Sequence, residues 1–137
     1  MFNPPKLKFK KEHKSTFKNK EYSLNKSSLL FGDFGISSET KGVLFYKEIT
    51  AAKKAIAKGI KGFGIVVARV HPNRPRTKKK KGMRMGKGKG AVGSWVVQVS
   101  AGMMLFEVFG LLEDKKIKEV FKNSALRLSL TTKTVFF

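Results

Sequence analysis

Cysteine is absent from these 137 residues, which removes disulfides, thiolate metal sites and cysteine nucleophiles together. Histidine is nearly absent as well. Only His13, embedded among lysines, and His71, ending an apolar run, could act as imidazole bases, and neither stands at nucleophile or metal-ligand spacing. No catalytic residue, metal, cofactor or small-molecule substrate is therefore expected. Acid is the third scarcity: 9 Asp and Glu face 30 Lys and Arg, a formal charge of +21. That imbalance strains a compact state by self-repulsion unless a polyanion neutralises it. The opening residues show neither an apolar stretch of signal-peptide length nor the Arg/Ser-rich pattern of a transit peptide, so no import or export signal is expected.

What remains is still enough to fold. The chain is 41% hydrophobic and holds twelve Phe, too apolar for a disordered tail from end to end. A chain of this length buries roughly two thirds of the surface its unfolded form exposes, which allows one core. Its charge is uneven. Residues 1–20 hold seven Lys and one acid, and residues 72–90 hold nine Lys or Arg and no acid. These stretches supply +15 of the +21, so the rest is an ordinary domain carrying two cationic segments.

Residues 1–27 lack sustained periodicity and read as a basic extended arm that orders on its partner. Residues 28–137 read as a single domain. Short apolar runs from Leu29 to Phe45, broken by Gly32, Gly35 and Gly42, predict two short strands. Ile49, Ala52, Ile56 and Ile60 recur at near-helical spacing and predict a helix over 46–60, ended by Gly59 or Gly62. From Phe63 to His71, Val66, Ala68 and Val70 alternate with Ile65, Val67 and Arg69, the pattern of a strand buried in a sheet. A basic loop is expected over 72–93.

Val92 to Leu112 is mostly apolar for 21 residues and raises the question of a membrane span. Gln98 and Glu107 interrupt it, and Ser100-Ala101-Gly102 offers a turn, so two paired strands are expected and no membrane partner. Glu113 and Asp114 suit the positive end of a helix running to about Leu126, with Ile117, Val120, Phe121, Ala125 and Leu128 on one face. Thr131 to Phe137 ends the chain as a strand. Two helices and five or six strands predict an α+β fold, the helices packed on a mainly antiparallel sheet. Trp95 and Phe106, inside apolar runs, are expected in the core.

The densest motif is Lys78-Lys79-Lys80-Lys81-Gly82-Met83-Arg84-Met85-Gly86-Lys87-Gly88-Lys89-Gly90. Cations at this density meet phosphates without fixed geometry, and the glycines let backbone approach where a side chain would clash. Gly88 to Gly93 also spells a dinucleotide fingerprint. A basic loop precedes it and the strand-like Ser94-Trp95-Val96-Val97 follows, where the fingerprint needs a strand and then a helix. Nucleotide binding is not expected from it. A DNA-compacting protein is a second reading of a small basic chain, although no helix-turn-helix or zinc spacing is present.

The segment Arg84 to Gly90 strongly resembles the hallmark of the bacterial and organellar large-subunit ribosomal protein family numbered sixteen. Further landmarks match in order: Pro5-Lys6, Phe9-Lys10-Lys11, His13-Lys14, Phe31-Gly32, Phe34-Gly35, Ile49 with Ala51 to Ala55, Arg69-Val70, Pro72, Trp95-Val96 and Thr132 to Val135. The resemblance implies a structural constituent of the large ribosomal subunit, not an enzyme. It would bind ribosomal RNA, contact tRNA and neighbouring ribosomal proteins, and help organise the aminoacyl-tRNA site. It implies ribosomal RNA contacts at Lys6, Lys8, Lys10, Lys11, His13 and Lys14, to which the charge map adds Arg74, Arg76, Lys78, Lys79, Lys80 and Lys81. Arg84, Met85, Gly86, Lys87, Gly88, Lys89 and Gly90 would face tRNA. Departures are Phe45, where a Thr usually caps the first helix, Ser94, where an aromatic is usual, and residues 15–27, which lack Arg/Gly richness. Lys outnumbers Arg 25 to 5, the bias of an A/T-rich genome. That leans toward a mitochondrial ribosome, with bacterial cytoplasm or plastid as alternatives.

Overall fold

The computed structural model describes residues 8–13 and 28–136. It holds strands β1 (Phe34–Ser38), β2 (Gly42–Phe45), β3 (Gly64–Ala68), β4 (Arg74–Lys78), β5 (Ala91–Val99), β6 (Met104–Gly110) and β7 (Thr132–Phe136), with helices α1 (Tyr46–Gly59) and α2 (Asp114–Ala125). All strand pairs are antiparallel. They form two sheets, one ordered β3-β6-β1-β7 and the other β2-β5-β4. The α+β class holds, with the sheet divided in two.

This division corrects one expectation. Val92 to Leu112 does form two strands, but they do not pair with each other: β5 is the centre of the small sheet, and β6 lies between β3 and β1 in the large one. The turn between them is tight, with Met103 N–H donating to Ser100 C=O at 3.2 Å and Gly102 N–H donating across to Ser38 C=O at 2.6 Å. That second bond ties the turn to the end of β1 and delivers the chain into the other sheet. Among the described residues no helix is long and apolar enough to cross a membrane.

The helices form where their apolar spacing puts them. Ile49, Ala52 and Ile56 of α1 and Ile117 and Phe121 of α2 are buried in one core with Ile36, Leu44, Val97, Val99, Phe106 and Val108. Ile60 ends α1 and is buried too. Phe45 precedes α1 in extended conformation and has no side-chain acceptor to cap it. The Glu48 carboxylate compensates by accepting the Phe45 N–H at 2.8 Å, which satisfies a donor that helix starts leave open. Val66, Ala68 and Val70 face the core as their alternation requires. Ile65, on the opposite face, is exposed together with its cross-strand neighbour Phe109, because among the described residues nothing packs over that end of the sheet's outer face.

Within the expected loop, Arg74–Lys78 is a strand. Pro75 cannot donate a ladder hydrogen bond, and β4 tolerates it as the edge strand of its sheet. Phe106 is fully buried; Trp95 is only half-buried, at a cleft of about 790 Å³ beside the start of α1.

Candidate nucleic-acid interface

The register of the small sheet fixes what its two faces carry. Residues directly opposite across antiparallel strands point to the same side. Leu44 opposes Val97, and Val97 and Val99 enter the core. The alternate residues must therefore point outward. Val43 opposes Gln98, Phe45 and Arg74 both oppose Val96, and Arg76 opposes Ser94. One outward face thus gathers Arg74, Arg76, Phe45, Val43, Val96 and Gln98 from three strands. The Arg76 guanidinium lies 5.2 Å from the centre of the Phe45 ring, a cation–π contact.

Residues 79–90 continue from β4 as the exposed tip, with Met85 93% exposed. Gly82, Gly86 and Gly88 have φ between +81° and +88°, and a Cβ at any of them would meet open space. Lys87 shares this left-handed conformation at φ 54°. Alternating Gly and Lys in that region give the tip its sharp turns, since left-handed backbone is costly for side-chain-bearing residues. Lys79 Nζ reaches across the tip to donate to Gly86 C=O at 2.6 Å.

Two cationic segments far apart in sequence meet at this site. Lys11 Nζ donates to Lys89 C=O at 3.1 Å, and Lys89 Nζ donates back to Glu12 C=O. Lys8, Lys10, Lys11 and His13 are exposed beside the tip. Lys6 and Lys14 lie outside the described residues. Of the other expected contacts, Arg76, Lys78, Lys80, Lys81, Arg84, Met85, Gly86, Lys87, Gly88 and Lys89 are exposed, while Arg74, Lys79 and Gly90 are half-buried. Glu12, His13 and Lys89 close over the outward face of the small sheet. Together they bound a cleft of about 500 Å³ with Val43, Arg74, Arg76, Val96 and Gln98.

A second charged feature lies on the large sheet. Glu107, fully buried in β6, is ion-paired with Arg69. Its carboxylate also accepts the N–H of Phe31 at 2.7 Å and of Leu30 at 3.2 Å, and the Arg69 guanidinium stands 5.3 Å from the Phe31 ring centre. The segment that leads into β1 is therefore fastened to the large sheet by one carboxylate. Sequence reasoning did not find this link. Its signal was a single acid in one apolar run and a single arginine in another.

The chain matches the family described as ribosomal protein L16p/L10e over residues 4–135. It is 37% identical over 132 residues to the large ribosomal subunit protein uL16 of Stenotrophomonas maltophilia (strain R551-3), covering 96% of this chain and 94% of that protein. Over the same span and shares it is 38% identical to uL16 of Xylella fastidiosa (strain M12) and 36% identical to uL16 of Xanthomonas campestris pv. campestris (strain B100).

Proposed function

The chain belongs to the ribosomal protein L16p/L10e family, a structural and non-enzymatic family of the large ribosomal subunit, and we propose that its cations hold it there on ribosomal RNA. The observation that carries this reading is the meeting of the two cationic segments at Lys11, Glu12 and Lys89 on one side of the domain. A joined field of ammonium and guanidinium groups binds a phosphate backbone far better than two separated ones, because the potentials add over a shared surface.

In this reading Lys6, Lys8, Lys10, Lys11, His13, Lys14, Arg74, Arg76 and Lys78 to Lys81 contact ribosomal RNA. The exposed tip from Arg84 to Gly90 contacts tRNA and helps organise the aminoacyl-tRNA site. Neighbouring ribosomal proteins are further partners. The matched relatives are bacterial and lend no support to a mitochondrial ribosome; bacterial cytoplasm agrees with them.

Sedimentation of a native lysate on sucrose gradients at moderate and high salt tests the proposal. Co-migration with large subunits and monosomes at salt that strips loosely bound proteins is the expected result. Migration as free protein, or with DNA, overturns it.

A further inference from the structure

We propose that the cleft on the outward face of the small sheet holds one unpaired nucleotide of RNA, splayed from its stack and seated between the arm and the strands. The inference rests on the RNA-binding reading above and deepens it from a charged surface to a shaped site.

Three observations carry it. The first is covering. Val96 points away from the core and stands outside the core cluster, yet it is only 7% exposed, so it lies at the bottom of a partly covered recess and not on a flat open surface. The second is size. About 500 Å³ lies within the roughly 300–1,000 Å³ range of pockets that enclose a small organic ligand, whereas a duplex groove needs no such enclosure.

The third is the chemistry of the lining. Val43 and Val96 give an apolar floor against which a base can lie. Arg76, held over the Phe45 ring, offers a guanidinium plane of the kind on which unstacked bases pack. Arg74 and Lys89 add cations for the phosphate on either side of the base. Gln98 carries both an amide donor and an acceptor, and Glu12 a carboxylate, the groups that read a base edge once pairing is broken. Sheet faces that combine stacking planes with such polar groups are how single-stranded RNA is read elsewhere. A free phosphate would use the arginines and leave the apolar floor of Val43 and Val96 without a role.

The test uses large subunits assembled with the full chain. Arg76→Gln, Gln98→Leu and the double variant are compared with wild type by acylation of every ribosomal RNA 2′-hydroxyl. The expected result is a gain in reactivity of about fivefold or more, confined to one unpaired nucleotide or two adjacent ones, consistent with the loss of a stacking contact. No local gain, or a gain only at base-paired positions, overturns the proposal. If the variants fail to assemble, a photoreactive benzophenone side chain placed at Val43 gives a second measurement. An adduct to an unpaired nucleotide supports the site; an adduct to protein, or none, overturns it. A Lys80→Ala/Lys81→Ala chain, altered at two exposed lysines that do not line the cleft, separates the two readings. If it alters ribosomal RNA reactivity while the cleft variants alter none, only the nucleotide site fails. If neither alters any, both readings fail.

Discussion

Glu107 and Arg69 join neighbouring parts of the large sheet through a buried ion pair, Glu107 fully enclosed and Arg69 with 16% of its side chain exposed. Because the same carboxylate accepts two backbone N–H groups from Leu30 and Phe31, its removal orphans three partners at once. Glu107→Ala is expected to lower stability by about 3–5 kcal/mol, the range for breaking a buried pair from one side. Urea unfolding of Glu107→Ala, Arg69→Ala and the double variant checks this. The double variant should lose less than the sum of the two, and simple additivity would show that the residues are uncoupled.

Gly32 provides the next prediction. A Cβ there would stand 2.7 Å from the carbonyl carbon of Val108, with backbone rather than a flexible side chain in the way. Asp33 N–H also donates to that carbonyl, at 3.1 Å. Gly32→Ala is therefore expected to lift residues 28–33 off β6 and to cost about 1–3 kcal/mol. An unfolding midpoint equal to wild type would refute the close approach.

At the exposed tip, replacing Lys87 and Lys89 together with Ala should slow tRNA accommodation more than it impairs subunit assembly. Lys89 also bonds the arm through Glu12, so Lys87→Ala alone isolates the part that belongs to the tip. Accommodation rates and subunit occupancy, measured on the same ribosomes, check this. Unchanged translation by the double variant contradicts it.

Deleting residues 1–14 should weaken incorporation, most visibly at raised salt. Five lysines leave with the segment: Lys6, Lys8, Lys10, Lys11 and Lys14. If each meets a phosphate, the slope of log affinity against log salt becomes shallower by about 3.5 to 4.5. Filter binding to large-subunit RNA across a salt series measures that slope, and normal occupancy of the truncated chain would refute the role of the arm.

Helices and core faces were readable from the residues because apolar period is a local property. Ile49, Ala52, Ile56, Ile117 and Phe121 could be assigned without knowing what they touch. Strand partnership is not local. The runs holding β5 and β6 look like a hairpin, and it takes the bonds that Ser38 exchanges with Gly102 and Met103 to show that the turn crosses between sheets. β4 was hidden by its composition, since Arg74, Pro75, Arg76 and Lys78 read as loop until edge position excuses the proline. Its recognition matters for the site: β4 turns Arg74 and Arg76 from flexible loop cations into side chains of fixed spacing. The family hallmark at Arg84 to Gly90 was legible as a motif, but its meeting with Lys11 across 78 positions was not.

The bonds that organise the tip have a consequence for how the protein meets an anion. Lys11, Lys79 and Lys89 each spend a hydrogen bond on a backbone carbonyl, an acceptor with no net charge. A carboxylate in those places would have fixed the same shape and cancelled the same ammoniums. With neutral acceptors, order and charge are decoupled: the segment gains a defined geometry while every cation keeps its full attraction for phosphate. Among the described residues no carboxylate is ion-paired with these lysines, so a ligand arriving there breaks no such pair and its electrostatic attraction is not reduced by one.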